Sequence, residues 1–259
     1  MIRVPHESWY APLTDALQRA LPAGTLALSD AGTAQTDWEL AEQVVEVALV
    51  SPLACARNQT DISILAGASV SATGGTGDTI LLFNRGLHDF RTVACRSVDS
   101  PDALLAALVL REKYHMTPVL HQHAGSPAEA LVDVDAILLA GDQLAGIDAA
   151  AFPSIDIVDE WFDMTELPFV RAVVAGWDSN LNPAIAEAVR AAGNEADAAA
   201  LVAVGEKMEH FFSTDAISPI PGHYRYSLDS DTRDAIDEFF RLLFFHGLHR
   251  DVPALRYWE

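Results

Sequence analysis

The chain has 259 residues, half of them hydrophobic and a fifth charged, with 37 acidic against 16 basic side chains and a formal net charge of −21. That is enough apolar material for one large or two modest α/β cores and too much for a disordered chain. The charge balance leaves no basic stripe to follow a phosphate backbone, so nucleic acid is excluded as a natural partner. No apolar run is long enough to span a bilayer, since even residues 131–144 are interrupted by Asp133, Asp135 and Asp142. The opening residues hold no apolar block or cleavage site, so a cytoplasmic location without a membrane partner is expected.

Along the chain, short apolar strands alternate with helices. Ile2–Val4 reads as a first strand, and Pro12 opens a helix over 12–21 whose Leu13, Ala16, Leu17 and Ala20 share one face. A strand at Leu26–Leu28 follows, then a helix over 38–45 capped by Asp37, then the wholly apolar Val47–Val50, which implies a sheet covered on both faces. Residues 62–65 and Thr79–Phe83 are further strands, joined across a loop over 72–78 that carries Gly74, Gly75 and Gly77. Thr92–Cys95 is a strand that runs into Ser100-Pro101, an N-cap and N1 pair that starts a helix over Pro101–Glu112. The same grammar repeats with a strand over 117–121, the capping box Ser126-Pro127-Ala128-Glu129, and a strand over Ala136–Ala140 that ends at Gly141-Asp142. A strand over 169–175, alanine-rich helix over 180–205 and an amphipathic closing helix over 231–246 complete the chain. The closing helix is expected to return to the first lobe. Strand–helix alternation of this kind gives parallel-rich α/β sheets.

Several motifs are informative by what they lack. Cys55 and Cys95 match neither a metal pair nor a CxxC redox motif, and both sit in or beside apolar runs, so inert core thiols are expected. His115, His121 and His123 raise a metal reading, but no cysteine or acidic partner completes the set, so no metal is expected. The glycine loop has no Lys-Ser/Thr ending of a nucleotide-binding loop. It is either a plain connection or a wrap of backbone amides around a ligand.

Three segments resemble the MqnA-type chorismate dehydratases of the futalosine route to menaquinone. They are the strand and turn 135–142, the run from Asp156 through Asp159-Glu160-Trp161 to Thr165-Glu166-Leu167-Pro168-Phe169-Val170, and Tyr224-Arg225-Tyr226-Ser227-Leu228 before the closing helix. The resemblance implies an α/β chain with a two-lobe, type 2 periplasmic-binding-protein-like fold, a hinge and a central cleft. Lobe 1 would be residues 1–92 with 176–259, and lobe 2 residues 93–175. It also implies a lyase that converts chorismate to 3-enolpyruvylbenzoate and water, needs no cofactor and takes a small carboxylate as partner. The alternative is a divergent or non-catalytic protein that binds another small carboxylate or aromatic metabolite.

The same resemblance points to the ligand-contacting positions. Ser8, Trp9 and Tyr10 stand where the family has a polar Ser-Tyr-Leu-Asn-like motif, and Asp78 and Thr79 where it has Ser-Val. Val98-Asp99-Ser100-Pro101 stands where it has a Ser-x-Thr-Ser helix start, Ser97 and Ser100 offer hydroxyl donors there, and Ser71 is placed in the same ligand set. The start of the Pro101 helix is the best carboxylate receptor in the sequence, because its unpaired N–H groups lie at a strand end. Ser100 is otherwise a plain cap. Arg96 either completes an anion site or is solvated. Gly141-Asp142 lies at another strand end, where Asp142 is a candidate base or hydroxyl partner, or simply caps the next turn. Phe169 follows the Pro168 crossover and either shapes it or touches ligand. Trp161 is expected to pack a junction between lobes. Asp78 beside a dianion is a departure that favours a cationic or hydroxyl-bearing ligand.

Overall fold

The computed structural model describes residues 1–86, 89–147, 151–213 and 222–259, with side chains outside 128 and 204–213. The chain divides into two compact units, the first comprising residues 1–73, 168–236 and 253–259, the second residues 74–167 and 237–252. The crossings fall at 73/74 and 167/168, not at 92/93 and 175/176 as expected. Pairing explains the shift. The strand at Thr79–Phe83 pairs within the second sheet and that at Phe169–Trp177 within the first, which an apolar run read by itself does not disclose.

The first unit is built on β1 (Ile2–Val4), β2 (Leu26–Leu28), β3 (Val47–Val50), β4 (Ile62–Thr73), β10 (Phe169–Trp177), β11 (His223–Arg225) and β12 (Tyr257–Trp258). Strand order is β11-β4-β10-β3-β1-β2, with β12 also paired to β4. β1 runs parallel to β2 and β3, while β10 runs antiparallel to both β3 and β4. Its helices are α1 (Ala11–Ala20), α2 (Thr33–Ala41), α3 (Pro52–Arg57) and α7 (Pro183–Ser213). All four residues of β3 are buried, as are the first eight of β10. The core joins Leu13, Ala16 and Leu17 of α1 to Val189, Ala192 and Ala196 of α7 and to Val70 and Val174 of the sheet.

The second unit is a five-stranded sheet, with β5 (Thr79–Phe83), β6 (Thr92–Cys95), β7 (Val119–Gln122), β8 (Ala136–Ala140) and β9 (Ser154–Asp156) in the order β7-β6-β8-β5-β9. β6, β7 and β8 are parallel, and β5 is antiparallel to β8 and β9. It carries α4 (Pro101–Glu112), α5 (Pro127–Asp133) and α6 (Ile157–Thr165). The closing helix α8 (Ser230–Phe245) does not simply return to the first unit, because its residues from Asp237 onward group with the second. There Phe239 meets the fully buried Trp161 edge-on, with centroids 6.1 Å apart. Trp161 is thus a core residue of the second unit. Both cysteines are free and buried, as expected.

Two elements differ from expectation for clear reasons. β4 runs for 12 residues instead of four, because Ser63, Gly67, Ser69 and Ser71 look polar or flexible in sequence yet the strand pairs with β10 along its length and with β12 and β11 toward its two ends. The helix expected to begin after Asp37 begins at Thr33. The Glu7 carboxylate supplies the missing cap by accepting from the Thr33 N–H at 2.9 Å. Asp37 instead sits inside α2 and accepts from the backbone N–H and hydroxyl of Ser51 at 2.7 and 2.6 Å. The Ser51 hydroxyl in turn accepts from the Ala54 N–H and caps α3.

Two glycines allow α7 to lie directly on β4. Gly67 has φ +124°, and a Cβ added at Gly193 would fall 2.2 Å from the Gly67 carbonyl oxygen. Gly193→Ala must therefore push the helix off the sheet, and overpacking of this kind costs about 1–3 kcal/mol or more. The expected result is a clear drop in the thermal midpoint, and an unchanged midpoint would show that the contact is loose.

Burial raises the Asp37 carboxyl to about 6, against the lowering effect of its Ser51 hydrogen bonds. The folded protein thus holds this proton more tightly than the unfolded chain does, and the resulting stability is complete below about pH 4. It is lost as pH rises to about 6, a change of about 3 kcal/mol at most. Urea unfolding of wild type and Asp37→Asn across that range checks this, since wild type should lose stability relative to the non-titrating variant as pH rises. A constant difference would remove Asp37 as the cause.

Candidate functional site

In the first unit the residues that open α1 form an aromatic platform backed by a buried cation. Ser8 is exposed, Trp9 half-buried and Tyr10 buried, with the Tyr10 hydroxyl 2.7 Å from that of Thr33. Burial pushes the Tyr10 phenol well above its ordinary range. Tyr10 is therefore a core residue that supports the platform from within. Trp9 is held at its backbone, where its carbonyl accepts from the Tyr226 hydroxyl at 3.1 Å. Its indole Nε1 is buried without a hydrogen bond among the described residues.

Behind Trp9 lies Arg171, only 3% exposed, with its guanidinium carbon 4.6 Å from the indole centroid. The same carbon is 5.6 Å from the Phe169 ring and 6.0 Å from the Tyr224 ring. Arg171 falls at a register shift of β10, between Val170 opposite Ser71 and Ala172 opposite Val70. A bulge re-aims the extra side chain, which here places a cation against one face of Trp9. Arg171 was not singled out in the sequence, although a charge inside the apolar run 169–175 was the available signal, since buried arginines are kept only with specific partners. Phe169 is 1% exposed and serves as a wall of this arrangement.

Ser71 stands apart from the platform. Phe169 and Tyr224 lie across Ala72 on one face of β4, whereas Ser71 alternates to the other face with Thr73. Both hydroxyls are buried without a hydrogen bond among the described residues.

In the second unit the remaining positions cluster at strand ends. The Thr79 hydroxyl reaches the carboxylates of Asp78 and Asp102 at 3.3 and 3.4 Å, and the Gly141 N–H donates to the Asp78 carbonyl at 2.9 Å. Asp78, Thr79, Gly141 and the start of α4 therefore meet. Gly141 turns the chain with φ +56°, and Asp142 is exposed in the helical turn that follows. The helix start is the weaker anion receptor for having Asp102 in its first turn. Ser100 behaves as a cap, since its hydroxyl accepts from the Ala103 N–H at 3.2 Å and donates to the Ser97 carbonyl at 2.9 Å. Pro101 occupies the first helical position.

The glycine loop is occupied by the protein's own carboxylates. Asp159 accepts from the Gly75 N–H at 2.9 Å, and Asp156 accepts from the Gly77 N–H at 2.8 Å. Asp156 also caps α6 through the N–H groups of Val158 and Asp159. Burial lifts its carboxyl above the usual range against these bonds. Of the two readings of the loop, the structure thus favours the plain connection. Separately, the ends of β6, β7 and β8 enclose a cavity of about 140 Å³ lined by Arg96, His123, Gly125, Pro127, Leu139 and Gln143 among others. Gln143 had no signal in the sequence. Among the described residues no three His, Cys, Asp or Glu side chains are arranged to hold a metal ion, and none of the helices is long and apolar enough to cross a membrane.

Comparison with known proteins was made for sequence and fold. The sequence model of the menaquinone biosynthesis family matches residues 11–244. No curated protein matches the chain at a significant level. Among solved structures, protein AF1704 from Archaeoglobus fulgidus has a TM-score of 0.64 at 18% identity, covering 95% of this chain and 98% of that one. The periplasmic aliphatic sulphonate binding protein SsuA from Escherichia coli has a TM-score of 0.63 at 12% identity, covering 100% and 91%. An ABC transporter protein from Parabacteroides distasonis gives 0.61 at 17% identity, covering 100% and 98%. These likenesses show a shared fold, that of the type 2 periplasmic binding proteins.

The hold of Asp156 on the glycine loop is testable. Asp156→Ala removes the α6 cap and the Gly77 anchor together, with an expected cost of about 1–2 kcal/mol. Amide hydrogen exchange at Gly77 should accelerate while that at Gly75, held by Asp159, changes less. Equal exchange at both glycines in wild type and variant would dismiss the anchor.

Proposed function

Because the chain belongs to the menaquinone biosynthesis family, we propose that it is a dehydratase acting on chorismate, releasing 3-enolpyruvylbenzoate and water. The reaction removes the proton on the ether-bearing ring carbon and the neighbouring hydroxyl, and the ring becomes aromatic. Electrons balance without an oxidant, so the chemistry calls for positioning, a proton acceptor and help to the departing hydroxide.

The observation that carries this reading is the Trp9–Arg171 pair. A guanidinium on one face of an indole draws electron density toward it and leaves the opposite face receptive to a flat, electron-rich anion. The indole N–H, buried without a partner among the described residues, adds a directed donor at the same place. A ring dicarboxylate that becomes flat and conjugated as it reacts meets both features in its product form. Asp142, exposed at the end of β8, is the carboxylate proposed as proton acceptor.

A specific observation favours a second reading. Asp78 and Asp102 converge on the Thr79 hydroxyl at the start of α4, where a carboxylate ligand would need positive potential. A ligand bearing hydroxyl or cationic groups suits that corner better, which fits a divergent binding protein.

Incubation of the purified protein with chorismate, followed by mass spectrometry against an enzyme-free control, decides between them. Enzyme-dependent product lighter than chorismate by one water is the expected outcome, and no such product from folded protein would overturn the lyase. Trp9→Ala should raise KM about 3- to 10-fold, as loss of a stacking contact does. Asp142→Asn should lower kcat by at least about 100-fold if it takes the proton. An unchanged kcat would remove Asp142 from the chemistry and leave the platform untouched.

A further inference from the structure

We propose that the second unit carries a pocket for a short carboxylate, in which Arg96, His123 and Gln143 supply the donors. Three neighbouring parallel strands deliver these side chains to one cavity, with Arg96 after β6, His123 after β7 and Gln143 in the turn after β8. The ends of parallel strands are where open α/β sheets gather ligand groups.

The pocket is built around the His123 ring. The His123 N–H donates to the Cys95 carbonyl at 2.8 Å, which fixes the residue to the end of β6. Its Nε2 is buried and has no hydrogen-bond partner among the described residues. Gly125 leaves room beside it, since a Cβ there would stand 2.8 Å from that nitrogen and 3.0 Å from Glu129 Oε2. Glu129 lies on the other side of Gly125, where its Oε2 accepts from the Ser126 N–H at 3.0 Å and its charge also acts on His123. The Gln143 side-chain oxygen accepts from the Ala140 N–H at 3.3 Å, which leaves its NH2 group as a donor.

Charge selects the ligand. Arg96 forms no ion pair or hydrogen bond among the described residues, in a chain with 37 acidic side chains for 16 basic ones. A guanidinium at the cavity wall repels a metal cation and attracts an oxyanion. At about 140 Å³ the space equals that of about four or five water molecules. Leu139 and Pro127 give it apolar surface beside the donors. A carboxylate with two to four carbons fits this combination, either as a free acid or as an arm of a larger molecule.

Pyruvate is the probe. The full-length protein would be titrated while the His123 ring resonance, identified by its loss in His123→Gln, is followed by NMR. We expect a saturable shift, with affinity reduced at least about tenfold in Arg96→Gln, the cost of one charged hydrogen bond. Arg96 is exposed, so this variant is expected to keep its fold, and far-ultraviolet circular dichroism checks that. Absence of a saturable shift, or an identical shift in Arg96→Gln, would overturn the proposal. Displacement of pyruvate by chorismate would identify the occupant as the arm of a larger ligand, and simultaneous binding would identify it as a free acid. Neither result depends on whether chorismate is turned over.

Discussion

The contact of α7 with β4, backbone against backbone at Gly193 and Gly67, is the constraint on which the first unit depends. A Cβ at Gly193 would also lie 3.0 Å from the Tyr226 carbonyl, so the segment after β11 is drawn into the same contact. That carbonyl accepts from the Ser69 N–H, and the Ser69 hydroxyl donates to the Ser227 carbonyl. From α7, Asp197 accepts from the N–H groups of Tyr226 and Ser227. Tyr226 then reaches the Trp9 carbonyl with its hydroxyl. A chain of directed bonds thus runs from a helix–sheet contact made possible by two missing side chains to the backbone of Trp9. Preorganisation of this kind is what a binding surface needs, because the ordering cost is met in folding and not on ligand capture.

The acidity of the chain looks at first like a solvation device, yet many of its carboxylates hold backbone. Asp135 accepts from the N–H groups of Arg91 and Thr92, Asp156 and Asp159 hold the glycine loop, and Asp229 caps α8 at Thr232. A carboxylate that accepts amide hydrogen bonds makes a stronger bond than a neutral acceptor and rigidifies its loop. With so many acids committed in this way and so few bases present, the placement of each arginine becomes informative. Several arginines meet an acid at the surface, as Arg19 meets Glu195 and Arg241 meets Glu238. Arg171 is buried among rings, and Arg96 faces a cavity.

How much of this was legible in the sequence follows from which interactions are local. Ser100-Pro101 and the Ser126–Glu129 capping box are local, and both helices begin where those residues place them. The strands at Val47–Val50, Thr92–Cys95 and Ala136–Ala140 were fixed by burial on both faces, which a run of apolar residues states directly. The cap of α2 was misread because the acid that serves it is Glu7, 26 positions away. The unit boundaries were misread for a similar reason, since pairing partners decide them and β5 and β10 pair across long stretches of chain. At the site, Trp9 and Phe169 were singled out from resemblance, and the structure places both beside Arg171. Arg171 was not, because its role comes from a register shift that exists only once β10 meets β4. Tyr10 was placed in the ligand set by resemblance, and its burial, like the alternation that puts Ser71 on the other face of β4, is a tertiary fact that the sequence does not state.

An aromatic platform limits what the first unit can contribute to the proposed reaction. The product ring is flat and fully conjugated, and the substrate ring is not, so a stacking surface holds product at least as well as substrate. Interactions equal in ground and transition states lower KM without raising kcat. In the proposed reaction, Trp9 backed by Arg171 would therefore serve recognition and not rate. The rate must come from a group whose interaction grows as the C–H bond breaks and hydroxide departs, and none of the ring contacts has that property. A protein with the platform alone would be a competent binder of flat anions. The same frame becomes an enzyme only by the addition of a carboxylate or other base whose proton affinity suits the abstraction, which places the difference between the two readings on one ionisable side chain and not on the fold.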